Sequence, residues 1–347
     1  MKIAAYAAQS ADTPLAPFSV ERRTLRPDDV EIRILYCGVC HSDMHTAHND
    51  WKGSVYPVIP GHEIIGEVTQ IGPAVTRYKA GDKVAVGCLV DSCLTCDPCC
   101  AGEEQCCQHV PTQTYNSKDR VTGEMTYGGY SQSIVVKEHF VLRLPEGLDL
   151  ARAAPILCAG ITSWTPLRRA GIRSGHKVAV AGLGGLGHMG VKFAVALGAE
   201  VTVISRSADK TADALALGAH KVLLSTDKDA MRAATGNFDF ILDTIPVDHD
   251  VAAYLRLLKI DGSLVLVGAI GMLPSFHTGL LLGGRKNLSG SAIGGLPATQ
   301  ELLDFCAEKN ILPDCEMIKI QDINHAYERM ERADVKYSFV IDMASLG

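Results

Sequence analysis

Cys93, Cys96 and Cys99 are each separated by two residues, and Cys107 follows after seven more. Thiolates at this spacing wrap a tetrahedral zinc without a long loop closure, at Zn–S distances of about 2.3 Å. Four sulfurs leave no open position, so the pattern predicts a structural metal. Cys100 and Cys106 are left over. Cys106 competes with Cys107 for the fourth place, and spacing favours Cys107. Cys88 reads as a small buried hydrophobe. In a short secreted chain such crowding would signal disulfides. Here 347 residues and Cys-x-x-Cys spacing point to metal binding in a reducing compartment.

A second set is scattered. Gly38–His45 reads GVCHSDMH, Gly61–Glu63 reads GHE, and Cys158 stands in LCAGIT. Singly, each Cys or His reads as a packed or hydrogen-bonded residue. Together, Cys40, His62 and Cys158 could supply a Cys₂His zinc whose fourth position is open to water or substrate, which is what a Lewis-acid catalyst requires. No spacing rule joins residues 40, 62 and 158.

A third set is glycine-rich. Gly182, Leu183, Gly184, Gly185, Leu186 and Gly187 follow a predicted strand, Lys177–Ala181, and open a predicted helix, Leu186–Leu197. Glycines there allow a tight turn and close backbone approach, and the helix amides then face a pyrophosphate. An acidic residue at the tip of the next strand would accept from the ribose 2′-hydroxyl of NAD. This chain instead carries Ser205, Arg206 and Ser207, with Lys210 one turn on. A guanidinium and two hydroxyls suit a 2′-phosphate, so NADP is expected over NAD.

The elements that position these residues change period midway. Asp29–Tyr36, Glu63–Ile71 and Tyr78–Val86 read as strands with turns between them, giving a β-rich unit over residues 1–150. Strands then alternate with helices: Glu200–Ile204, Ala208–Leu217, His220–Leu224, Phe238–Asp243, Val251–Leu258, Leu264–Val267 and Leu288–Gly290. That alternation marks a doubly wound parallel sheet over 151–295. Residues 296–347 carry two helices and a closing strand, Tyr337–Asp342, and are expected to return to the first domain. The formal net charge of −6 argues against a nucleic-acid partner. No run of about 18 apolar residues is present to span a membrane. The opening Met1–Ala8 reads as a strand rather than a signal peptide.

With these motifs in place, the chain resembles the zinc-dependent medium-chain alcohol dehydrogenases, and within them the cinnamyl alcohol dehydrogenase branch and bacterial NADP-dependent aldehyde reductases. The carrying stretches are Gly38–His45, Gly61–Gly66 (GHEIIG), the cysteine lobe, Leu157–Thr162, Ala181–Gly190 and Val335–Asp342. The resemblance implies a GroES-like catalytic domain interrupted by a Rossmann domain, with two zincs and NADP(H) per chain. It assigns a catalytic zinc to Cys40, His62 and Cys158, with Glu63 as a nearby carboxylate and Asp43 orienting His62. Ser42 and His45 match proton-relay positions, Ser42 also bordering the cofactor. Further cofactor contacts are implied at Thr162, the glycine turn, Ser205–Lys210, Thr244, Gly268, Ser291 and Ile293. The implied reaction is hydride transfer between NADP(H) and an aldehyde or primary alcohol. A cytoplasmic homodimer paired through Leu288–Ser291 is expected, acting on a small molecule. The tract Gln108–Gly128 departs from the family and is expected to border the substrate pocket, with Trp51 and Trp164 as candidate walls. An NAD-linked polyol or sugar dehydrogenase is the runner-up, opposed by Ser205-Arg206-Ser207. A zinc-ribbon interaction module explains the cysteine lobe alone, and a zinc-free quinone or enoyl reductase on the same fold is told apart by metal analysis, which would find no zinc.

Overall fold

The computed structural model describes residues 2–268 and 271–347. They divide into two compact units. The first holds the described residues up to Ile161 together with Gly294–Gly347, and the second runs from Thr162 to Ile293.

The first unit begins with a hairpin, β1 (Lys2–Ala7) against β2 (Ala16–Glu21). Its central strand is β3 (Asp29–Val39), where Val30, Ile32 and Ile34 point inward, separated by half-buried Glu31 and exposed Arg33. β4 (Ile64–Ile71) lies antiparallel to β3, and β5 (Lys83–Val86) pairs with β4. Gly66 permits that approach, since a Cβ there would stand 2.5 Å from the Arg33 carbonyl. β6 (Leu89–Asp91) and β7 (Thr112–Gln113) form a small separate sheet flanking the cysteine lobe. β8 (Ser133–Lys137) pairs with the first half of β3, and β9 (Leu142–Arg143) closes the edge on β5.

The second unit is a six-stranded parallel sheet. Its strands are β10 (Lys177–Ala181), β11 (Glu200–Ser205), β12 (Lys221–Leu224), β13 (Phe238–Asp243), β14 (Leu258–Leu266) and β15 (Asn287–Gly290), in the order β12-β11-β10-β13-β14-β15. β10, β11 and β13 are almost wholly buried, β10 as a nearly unbroken apolar run and β11 and β13 as apolar runs interrupted by Thr202, Asp239 and Asp243. β14 begins at Leu258, earlier than the expected Leu264. Its polar start, Lys259 and Asp261, hid it, and Lys259 is ion-paired with Asp239 of β13 at 2.7 Å.

The tail returns to the first unit. β16 (Cys315–Lys319) runs parallel to β17 (Ser338–Asp342), which pairs antiparallel with the last residues of β3. The division between units also moves the expected boundaries. Residues 151–161 fold with the first unit, not the second. Ala153, Ala154, Ile156 and Leu157 are completely buried there, and the turn Ala154–Leu157 packs on β3, β4 and β5. Gly294 and Gly295 belong to the first unit too, because Gly295 lies directly against the Gly102 carbonyl.

Candidate functional site

β3 delivers Cys40 to the entrance of a short helix, His41–Ala47, of which it is the N-cap. Asp43 in the first turn is fully buried, with polar partners on both of its oxygens. One oxygen takes the Cys40 amide at 2.9 Å and the Tyr130 hydroxyl at 3.2 Å; the other takes the Gly61 amide at 3.0 Å and His62 Nδ1 at 3.1 Å. With Nδ1 engaged, His62 presents Nε2 as its free donor atom. Tyr115 stacks on the imidazole with ring centroids 5.6 Å apart.

The ligand atoms of Cys40, His62, Glu63 and Cys158 all lie within 4.8 Å of one another. The sulfurs of Cys40 and Cys158 are 3.7 Å apart, close to the edge of a zinc–sulfur tetrahedron, about 3.8 Å for bonds of about 2.3 Å. Glu63 is buried and its Oε2 has no hydrogen-bond partner. That carboxylate lies over Gly38, where a Cβ would collide with it at 1.9 Å. Burial and mutual contact favour the protonated forms of both thiols and of the Glu63 carboxyl. The Cys158 thiol and burial push Cys40 well above its ordinary range, and burial and Cys40 do the same to Glu63. Cys158 is held down by Cys40, but Cys88 and burial outweigh this and raise it to about 12. An orphaned buried oxygen, two thiols and an oriented imidazole around one point fit a divalent metal.

In the lobe, the sulfurs of Cys93, Cys96, Cys99 and Cys107 likewise fall within 4.8 Å of one another. Cys93 and Cys99 are 3.8 Å apart, and Cys96 and Cys107 are 4.0 Å apart. Backbone amides point at the sulfurs: Thr95 and Cys96 donate to Cys93 at 3.5 and 3.3 Å, and Cys93 donates to Cys107 at 3.5 Å. Those amides hold Cys93 down at about 5, whereas burial raises Cys99 to about 12. Four converging sulfurs with amide support fit a closed Cys₄ metal site. Cys100 and Cys106 turn outward and are exposed.

In the second unit the glycine turn joins β10 to the helix Gly185–Ala196. Gly182 has φ +92°, and a Cβ on Gly187 would stand 2.2 Å from the Gly182 carbonyl, so both positions demand glycine. Gly184 faces open space, the cradle a pyrophosphate would enter. Thr244 lies beneath the turn and donates to the Ala181 carbonyl at 2.8 Å. At the tip of β11, Ser205 donates to the Ser207 carbonyl at 2.9 Å, and Arg206 is exposed. Lys210 closes the short turn that Ser207 caps. Asp209, not weighed in the sequence, accepts from the Ser207 hydroxyl at 2.8 Å. Gly268 packs against the Ile245 carbonyl, Ser291 donates its amide to Leu266, and Ile293 has φ +43°. Thr162 is buried in the helix Ala159–Arg169.

Several features escaped the sequence. Tyr115, Tyr130 and Asp50 join the first cluster without any motif. Asp50 bonds His45 Nδ1 at 2.7 Å. Cys88 is half-buried beside Cys158 rather than a plain core residue. Trp164 is core, packed edge-on to Phe193, whereas Trp51 is half-exposed against His45. The tract Gln108–Gly128 divides. Tyr115 reaches His62, while Thr112, Asp119 and Met125 line a separate cavity of about 500 Å³.

Residues 26–146 match the alcohol dehydrogenase GroES-like domain, and residues 185–308 match the zinc-binding dehydrogenase domain. The chain is 51% identical to NADP-dependent alcohol dehydrogenase C 1 of Mycolicibacterium smegmatis, over 99% of each chain. It is 50% identical to aldehyde reductase YahK of Escherichia coli, over 100% of this chain and 99% of that one. A cinnamyl alcohol dehydrogenase of Sorghum bicolor superimposes with TM-score 0.96 at 43% identity, covering 99% and 98% of the two chains. The Helicobacter pylori enzyme of the same type, solved with NADP(H), gives 0.93 at 40%, covering 99% of each. The chain therefore belongs to the zinc-binding medium-chain alcohol dehydrogenases. Within that superfamily it stands with the cinnamyl alcohol dehydrogenases and bacterial NADP-dependent aldehyde reductases, as an oxidoreductase with a GroES-like domain and a Rossmann domain.

Proposed function

We propose that this chain interconverts aldehydes and primary alcohols with NADP(H), acting chiefly as a reductase of broad range that takes aromatic, cinnamyl and aliphatic aldehydes. The observation that carries this reading is the convergence of Cys40, His62, Glu63 and Cys158 around one point with an unpartnered carboxylate oxygen. Bound there, zinc supplies Lewis-acid polarisation of a carbonyl oxygen, and bound NADPH supplies the hydride. Asp43 fixes the ring of His62 and keeps Nε2 turned to the thiols. Ser42 and His45 stand three residues apart on one helix face and form the proton path. The Asp50 carboxylate at Nδ1 steadies His45, and partial exposure lets it trade protons with solvent. Arg206 and Lys210, with Ser205 and Ser207, hold the 2′-phosphate, and Thr162, Thr244, Gly268, Ser291 and Ile293 border the nucleotide.

The Cys₄ lobe is the second, structural zinc site. Twelve cysteines, all free, support a reducing cytoplasm. No helix among the described residues is long and apolar enough to cross a membrane. The strand β15 ends the six-stranded sheet with largely exposed residues, which supports pairing with a second copy.

The test is loss of NADPH absorbance on adding a panel of aromatic and aliphatic aldehydes, with metal analysis on the same preparation. Turnover and two zincs per chain are expected, and Cys40→Ser abolishes turnover while leaving the fold intact. Full activity in that variant overturns the assignment. A mannitol dehydrogenase of Petroselinum crispum is 51% identical over 95% of this chain, so mannitol belongs in the panel. Faster turnover of mannitol with NAD than of any aldehyde with NADPH would favour the polyol reading.

A further inference from the structure

Asp243 ends β13, and its register partner is Ala181, the last residue of β10. These two strands flank the point where the strand order reverses, the place at which open parallel sheets bind ligands. Its carboxylate is completely buried. One oxygen faces His249 Nε2 at 2.7 Å, and the other accepts the Ile245 amide at 3.1 Å. His249 spends Nδ1 on the Val247 carbonyl at 2.8 Å and tilts its ring against Tyr254, centroids 5.5 Å apart. The ring therefore ties the segment after β13 to both Asp243 and the following helix, Val251–Leu257.

The residues so held form the floor of the glycine turn. The Thr244 amide and hydroxyl both donate to the Ala181 carbonyl, at 3.0 and 2.8 Å. A Cβ on Gly182 or Gly187 would meet Thr244 Oγ1 at 2.8 or 3.2 Å, and one on Gly268 would meet the Ile245 carbonyl at 2.3 Å. At such contact distances, movement of residues 243–245 displaces the turn. We infer that His249 is a positioning residue for the dinucleotide: through Asp243 it locks residues 243–245 beneath the glycine turn and so sets the affinity for NADPH. The inference rests on the proposed reading of that turn as the NADPH site.

The test titrates NADPH onto the zinc-loaded full-length chain by nicotinamide fluorescence, with steady-state kinetics alongside. His249→Phe keeps a ring against Tyr254 but removes both ring-nitrogen hydrogen bonds. Loss of a hydrogen bond to the buried Asp243 carboxyl predicts an NADPH Kd raised about tenfold or more. At saturating NADPH, kcat and the aldehyde KM stay near the parent's. His249→Gln, whose amide donates to Asp243, returns the Kd most of the way. Hydrogen exchange at Gly182–Gly187 speeds up in His249→Phe and returns toward the parent rate in His249→Gln. An unchanged Kd in His249→Phe, or equal losses in both variants, overturns the inference. Should His249→Phe fail to fold, Asp243→Asn takes its place, with a smaller Kd rise expected and an unchanged Kd overturning the inference. A parent that binds NADH and not NADPH overturns the nucleotide reading alone, and the variant-to-parent ratio for NADH then judges His249.

Discussion

Asp43 shows how one buried carboxylate can order the proposed metal site. Burial opposes its charge, but His62 and the donors around it outweigh that and lower its pKa. It faces donors from three separate stretches of chain, so its loss is not local. Asp43→Asn keeps the shape but leaves one side of the amide unable to accept, and His62 loses its orienting partner. Removing an outer partner of this kind weakens metal affinity by about 10- to 100-fold. The expected outcome is loss of one zinc per chain to a competing chelator while the lobe zinc stays. Equal retention of both metals by variant and parent would contradict the role given to Asp43. Because Cys40, Glu63 and Cys158 all hold protons more tightly than usual, zinc uptake at this cluster releases protons. Its affinity therefore falls as pH is lowered.

At the scale of elements, the cysteine lobe is fastened to the returning tail. Buried Glu104 accepts from His139 Nε2 at 2.8 Å and from the Leu296 amide at 2.9 Å, at the start of the helix Leu296–Lys309. Gly102 presses on Pro297 of the same helix. Loss of the lobe metal should therefore loosen that helix as well as the lobe. Cys96→Ser is expected to lower the melting temperature more than it lowers turnover per folded molecule, with Cys106→Ser leaving both unchanged. A Cys96→Ser chain that melts with the parent would remove the structural metal. At the tip of β11, exposed Arg206 has no carboxylate within ion-pair distance among the described residues, although Asp209 stands nearby on Ser207. Arg206→Asp should weaken NADPH against NADH, measured as the ratio of their kcat/KM values, and an unchanged ratio would leave the nucleotide preference without its cause.

Over the whole molecule, acid stability is set in part by an ion-pair group that shares no residue with either cysteine cluster. Asp119 links Arg26 at 2.8 Å and Arg23 at 3.6 Å. Burial pushes its carboxyl up, but Arg26 and the amides of Thr122 and Val121 hold it well below the carboxylate range. A carboxyl that titrates lower folded than unfolded lends stability fully present above its unfolded pKa of about 3.9 and lost as pH falls through the folded value. Denaturant unfolding between neutral pH and pH about 3 should show Asp119→Asn less stable than the parent at the upper end, with the gap closing towards the lower. A gap constant with pH would contradict the assignment.

What the sequence determined by itself were the features fixed by local spacing. The Cys₄ lobe, the glycine turn and the basic tip of β11 each lie within one short stretch, so chain geometry confines their partners. Strands buried on both faces were legible as apolar runs, while the polar start of β14 was not, because its pairing offsets its composition. The set formed by Cys40, His62, Glu63 and Cys158 needed the resemblance, since residues far apart in sequence meet only when β3, β4 and the turn after Ala154 pack together. Tyr115 fell inside the tract Gln108–Gly128 but was not singled out there, and Tyr130, Asp50 and the pair Asp243–His249 had no signal at all. Their roles come from burial and from which donor faces which acceptor, and those are properties of the packed chain alone.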